Sequence, residues 1–179
     1  MKIGLCGTMS VGKTTLVNAL KNEPEFKNYI FRTERSKHLN SMGIPLNTDS
    51  TLKGQLVFAS ERAAELMQEN IITDRTIIDV MAFCELSKSM SIAEKQHING
   101  VLWHLIKDYN IIFHIDDLSV PIEDNGVRET NKDYRLAIHQ KISSILGIYK
   151  YMPGKVVTIS GTTEERIAKI KSTLDMYNK

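Results

Sequence analysis

The stretch GLCGTMSVGKTTLVNAL constrains the fold of this chain more than any other, because Gly7 to Thr14 reads G-x-x-x-x-G-K-T. Gly7 and Gly12 permit a tight loop in which the backbone of Thr8, Met9, Ser10 and Val11, with the following helix N-terminus, can turn successive N–H groups towards a phosphate chain. Lys13 adds a point charge for the terminal phosphates, Thr14 presents a hydroxyl suited to Mg²⁺, and Thr15 can reach an inner phosphate. Such a loop needs a strand before it and a helix after it. KIGLC at Lys2 to Cys6 supplies the strand, and Leu16, Val17 and Leu20 continue at helical spacing. The same cradle serves motors, switches and kinases, so the rest of the chain must choose among them.

Beyond the loop, short β-rich runs alternate with longer helical periods, the pattern of an α/β fold. Strands are expected at Tyr29 to Arg32, at Asn70 to Arg75, from Ile111 in IIFHIDD, and at Lys155 to Ser160. Helices are expected from Thr51 with a stripe of Leu52, Leu56, Ala59, Ala63 and Leu66, leaving Lys53, Glu61, Arg62 and Glu65 largely off that face. A mostly buried helix follows in TIIDVMAFCELSK. Another runs from Ile92 to Asp108 with Ile98, Val101, Leu102, Leu105 and Ile106 on one side. Tyr134, Ile138, Ile142 and Ile145 mark the next, and Ile167, Ile170 and Leu174 the last, whose start has capping-box form with Thr162 and Glu165. Five strands separated by helices imply a parallel sheet covered on both faces, with ligands beyond the carboxyl ends of the strands.

At 179 residues the chain suits one domain, and 42% hydrophobic with 25% charged residues is the balance of a self-folding globular protein. A net charge of +2 gives no sign of a broad nucleic-acid surface. Cys6 and Cys84 sit in apolar runs, which suits buried thiols in a reducing compartment, so a cytoplasmic location is expected. No signal-like segment opens the chain and no apolar run approaches about 18 residues, so membrane insertion is not expected. His38, His97, His104, His114 and His139 lack zinc-site spacing and read as ordinary histidines.

Chemistry is expected where strands end. Asp74 closes an apolar strand and Arg75 follows it, which brings a carboxylate and a guanidinium to the site edge. Asp74 can hold the metal or its waters, or accept a proton from an attacking hydroxyl, while Arg75 can grip phosphoryl oxygens bidentately. Glu34, after the second strand, is the other candidate base, and Asp116 competes with Asp74 as a metal carboxylate. The proline-, glycine- and charge-rich segment LSVPIEDNGVRETNKDYR, about 118–135, suits a lid whose Arg128 and Arg135 close over a transferring phosphate and exclude water. Gln55 and, one turn on, Phe58 are candidates to hydrogen-bond and stack on a base.

At GTMSVGKTTL, TDRTIID and EDNGVRETNKDYRLAIHQKI together, the chain resembles the P-loop nucleoside and nucleotide kinases. It looks in particular like the small AAA_28-type proteins, often phage-encoded, that are grouped with the nicotinamide riboside kinase domain of bacterial NadR proteins. The resemblance implies a five-stranded parallel sheet of order 2-3-1-4-5, ATP as donor, Mg²⁺, and an acceptor held between the acid after the second strand and the D-R step. It also implies that Lys13 and Thr14 serve ATP and magnesium, that Asp74 and Arg75 take the D-R roles, that Arg128 and Arg135 are lid arginines, and that Gly161 and Thr162 lie in the adenine-side loop. The sequence departs from the pattern in TERS, where arginine rather than proline follows the acid.

No aspartate here has glycine three residues on, and TNKDY only imitates a guanine-reading motif, which argues against a regulatory GTPase. The expected function is ATP-dependent transfer to a nucleoside, a nucleotide or a modified nucleotide in DNA. A DNA acceptor is disfavoured, because no aromatic and basic binding stripe is evident. The rival reading is an ATPase or nucleotide-binding protein without a small-molecule acceptor. A homodimer is compatible with either.

Overall fold

The computed structural model describes residues 1–33, 35–122, 130–149 and 156–177. Its strands are β1 (Lys2–Cys6), β2 (Ile30–Arg32), β3 (Ile71–Asp74), β4 (Ile111–Ile115) and β5 (Val156–Ile159). Its helices are α1 (Lys13–Leu20), α2 (Ser36–Ser41), α3 (Leu52–Leu66), α4 (Ile77–Leu86), α5 (Ile92–Leu105), α6 (Lys132–Tyr149) and α7 (Thr163–Tyr177). All strand pairs are parallel, in the order β2-β3-β1-β4-β5.

Burial follows position in the sheet. The inner strands β3 and β4 are buried along their whole length and β1 nearly so, whereas the edge strands β2 and β5 are mostly part-buried or exposed. That is why the inner strands read as mainly apolar runs: helices cover both of their faces. On one face Ile3, Leu5 and Phe113 pack with Leu16, Val17 and Leu20 of α1 and Ile170 and Leu174 of α7. On the other, Cys6 and Ile112 pack with Ile77, Ile78, Leu102, Ile138 and Ile142 from α4, α5 and α6. Register aligns Leu5 with Asp74 and Cys6 with His114, so the carboxyl ends of β1, β3 and β4 meet at one edge.

Local chemistry sets the ends of these elements. Asn70 and Arg75 both have positive φ, 51° and 82°, so β3 is bracketed by two left-handed residues and is shorter than the predicted Asn70 to Arg75. Helix α4 starts in a capping box, with Thr76 and Asp79 satisfying each other's backbone N–H groups, and α5 starts in another formed by Ser91 and Glu94. The helix expected to reach Asp108 ends at Leu105 and tightens into a 3₁₀ turn over Ile106–Asp108. On its predicted apolar side Val101 is exposed.

The face of α3 corrects the sequence reading. Leu56, placed on the apolar stripe, is 47% exposed, while Arg62 and Glu65, placed off it, are 3% and 7% exposed. Hydrophobic spacing alone could not locate this face, because the two buried charges satisfy each other: Arg62 Nη2 donates to Glu65 Oε1 at 2.8 Å. Among the described residues, no helix is long and apolar enough to cross a membrane. Cys6 and Cys84 are both buried as free thiols.

Candidate active site

The loop after β1 is built by its glycines and by the cations around it. Gly7 and Gly12 sit at φ 155° and 84°, and a Cβ on Gly7 would meet the Ile115 carbonyl at 2.9 Å. Lys13 Nζ donates to the carbonyls of Gly7 and Thr8, each at 2.6 Å. From α6, Arg135 Nη2 donates to the Ser10 carbonyl at 3.3 Å, and from α7, Arg166 Nη1 donates to the Val11 carbonyl at 2.7 Å. Four loop carbonyls are thus drawn onto cationic donors. Backbone whose carbonyls are held this way can direct its N–H groups to an anion, which is what a phosphate nest requires.

Gly7 itself is an exception to the expected pattern. Its N–H donates to Asp79 Oδ1 at 3.2 Å, so Gly7 serves the shape of the loop and its N–H is committed within the protein. Asp79 is fully buried, and its other oxygen accepts from the Thr76 N–H and hydroxyl at 2.8 and 2.9 Å. One carboxylate therefore ties the first residue of the loop to the start of α4. Asp79 and Arg166 are residues around the loop that sequence reading missed. For Asp79 the signal was present, because T-x-x-D before an apolar run has the form of a capping box.

Lys13 is buried, and its amine is lowered to about 8, first by burial and then by the Arg75 guanidinium, with Asp79 and Asp74 opposing. Thr14 Oγ1 donates to Asp74 Oδ2 at 2.6 Å across the gap between α1 and β3. The other oxygen, Asp74 Oδ1, is buried without a hydrogen-bond partner among the described residues. A hydroxyl beside an under-satisfied buried carboxylate fits Mg²⁺, which takes few protein oxygens and completes its shell with phosphate and water. Thr14 and Asp74 are the residues that would hold it.

Arg75 leaves the end of β3 at its positive φ, with its guanidinium 5.1 Å from the Phe83 ring centre and Nη1 3.8 Å from Asp79 Oδ1. A cavity of about 290 Å³ is lined by Ser10, Gly12, Lys13, Thr14, Thr15, Asp74 and Arg75, so the fold brings the loop and the D-R step to one space. Asp116 is elsewhere: its Oδ1 is 3.4 Å from His139 Nε2, and His139 stacks on His114 with ring centres 5.9 Å apart. Geometry therefore pairs Asp74, and not Asp116, with the Thr14 hydroxyl.

The remaining expected residues divide. Arg135 is present but buried, and besides Ser10 it donates to the Val120 carbonyl at 2.9 Å, so it braces the loop in this state. Thr162 caps α7, accepting from the Glu165 N–H at 3.2 Å while its own N–H donates to Glu165 Oε2 at 2.7 Å. One turn on, Arg166 bridges the Val11 carbonyl and Asp117 Oδ2, both at 2.7 Å, which brings the start of α7 beside the loop. Gln55 is 3% exposed and Phe58 packs against the α4–α6 core. Glu34 and Arg128 lie outside the described residues, as does Lys155 at the start of the predicted last strand.

A family model, AAA_28, described as an AAA domain, matches residues 2–166. No curated protein matches. Among solved structures, a deoxyadenosine kinase from M. mycoides with dCMP and dCDP bound matches with TM-score 0.68 and 14% identity, over 99% of this chain and 100% of that one. A NadR protein in complex with NR matches with TM-score 0.66 and 18% identity, over 87% of this chain and 44% of that one. A NadR protein in complex with NAD and AMP-PNP matches with TM-score 0.61 and 17% identity, over 93% and 46%. This chain thus spans less than half the length of the NadR chains. At these identities the likeness is one of fold.

Proposed function

The chain belongs to the AAA_28 family of AAA domains, and from that premise we propose that it is a single-domain, ATP-dependent phosphotransferase acting on a nucleoside, nucleotide or modified nucleotide. A nucleoside or nucleoside monophosphate is the favoured acceptor. The observation that carries this reading is the 2.6 Å contact between the Thr14 hydroxyl and Asp74, with Arg75 next in the chain on the same cavity. Support comes also from the neighbours of similar fold, one a deoxyadenosine kinase and another bound to AMP-PNP.

In this mechanism the loop from Thr8 to Thr15 holds the donor's phosphates, and Lys13 leaves the Gly7 and Thr8 carbonyls to meet the terminal ones. Mg²⁺, when bound, would neutralise charge on the β- and γ-phosphates. With Asp74 committed to the metal side by Thr14, the role of orienting or deprotonating the acceptor hydroxyl falls to Glu34. Arg75, 3.8 Å from Asp79 and lying over the Phe83 ring, grips the transferring group, and Arg128 and Arg135 supply further positive charge when the segment about 118–135 closes. Gly161 and Thr162 take the adenine side of the donor, and Gln55 and Phe58 the acceptor side.

The test is incubation with γ-labelled ATP, Mg²⁺ and a panel of nucleosides, deoxynucleoside monophosphates and modified DNA. Label should appear in one class of acceptor. Label recovered only as inorganic phosphate, whatever the acceptor, would establish the ATPase reading instead.

A further inference from the structure

The strained peptide between Asp74 and Arg75 is held at both ends. On one side the Arg75 N–H donates to the Leu5 carbonyl in β1 at 3.0 Å. On the other, the Asp74 carbonyl accepts from Arg62 Nη1 in α3 at 3.1 Å. Left-handed φ at a residue with a Cβ, such as Arg75, is unfavourable and persists only where the surroundings over-determine it. The orientation of this one peptide decides where two site groups point: backwards to the Asp74 carboxylate on Thr14, forwards to the Arg75 guanidinium over Phe83.

Arg62 is built for that hold and for nothing at the surface. It is 3% exposed, and its second terminal nitrogen is fixed by Glu65, itself 7% exposed. Removing such a buried pair from water is costly, and hydrophobic side chains of similar volume often serve stability as well or better. Arg62 Nε and Glu65 Oε2 are buried with no hydrogen-bond partner among the described residues, so the pair is not perfectly satisfied either. Stability alone gives a weak reason for its presence, whereas aiming the Asp74–Arg75 peptide gives a specific one.

We propose that Arg62, held by Glu65, is a positioning residue that sets Asp74 for the metal at Thr14 and Arg75 for the transferring phosphoryl group. This rests on the reading of Thr14 and Asp74 as the metal side of the site. It adds a residue from α3 that touches neither nucleotide nor metal.

The experiment is titration of the purified chain with a fluorescent ADP analogue, with and without Mg²⁺, alongside thermal unfolding. The double variant Arg62→Met, Glu65→Leu removes both charges together and leaves an apolar face. It should unfold within a few degrees of wild type, keep metal-free affinity, and lose roughly tenfold or more of the tightening that Mg²⁺ confers, as substitution of groups that orient metal ligands does. Arg62→Lys, which keeps the charge and Glu65's partner but cannot span both contacts, should lose an intermediate part, and it decides the matter if the double variant does not fold. Wild-type tightening by Mg²⁺ in a folded variant would overturn the role of Arg62 while leaving the metal site standing. Absence of any tightening in the wild type would overturn the metal site and, with it, the role built upon it.

Discussion

Lys13 carries a structural load and, in the proposed function, a phosphate-binding one as well. Its ammonium is buried against two loop carbonyls, and burial with the nearby Arg75 brings it down to about 8 from an ordinary 10.5. Below about 8 the amine is charged and attracts phosphate; as pH rises through about 8 the nucleotide-free protein loses that charge. Affinity for ADP should therefore fall between about pH 8 and 10, and the fall should vanish in Lys13→Met. Equilibrium titration across that range reads it, and an unchanged pH profile in the variant would remove Lys13 from the site. Transfer activity should be abolished in Lys13→Ala with the circular dichroism spectrum intact.

At the scale of elements, two helices begin with the same chemistry and different consequences. Thr76 caps α4 inside the protein and shares Asp79 with the Gly7 N–H, while Thr162 caps α7 at the surface through Glu165. Loss of a threonine cap costs about 1 kcal/mol, up to about 2 in buried settings. Thr76→Ala should lower the urea midpoint more than Thr162→Ala. Only the former should also weaken nucleotide binding, because Asp79 then loses one of the two Thr76 donors that orient it towards the loop. Equal effects on binding would mean that α4 and the loop are independent. The apolar sequence after Thr76 made α4 easy to foresee, whereas its link to Gly7 is a contact across 72 residues that no local pattern contains.

For the molecule as a whole, the buried pair on α3 sets a pH dependence of stability. Burial lifts the Glu65 carboxyl from 4.5 to about 7, against the pull of Arg62. The folded state therefore binds this proton more tightly than the unfolded state, so the Glu65 contribution to stability declines as pH climbs from about 4.5 to about 7. Glu65→Gln should flatten that stretch of the curve. Thermal midpoints of wild type and variant at pH 5 and pH 7.5 measure the difference, which should favour the variant more at the higher pH. A difference that does not change with pH would place the Glu65 titration outside this window.

By itself the sequence determined the strand–loop–helix around Gly7 to Thr14, the alternation that yields a parallel sheet, and the arrival of Asp74 and Arg75 at a strand end, whereas the strand order 2-3-1-4-5 was implied only by the family resemblance. These rest on short-range physics: side-chain periodicity, glycine at loop positions, and apolar runs where strands are covered on both faces. Tertiary structure alone decided that Asp74 rather than Asp116 faces Thr14, that Arg135 and Arg166 brace the loop carbonyls, and that Arg62 turns inward while Leu56 turns out. Each of those depends on a partner distant in the chain. A buried charge reads as a surface residue until its partner is in view, since burial is tolerated only where the charge is matched.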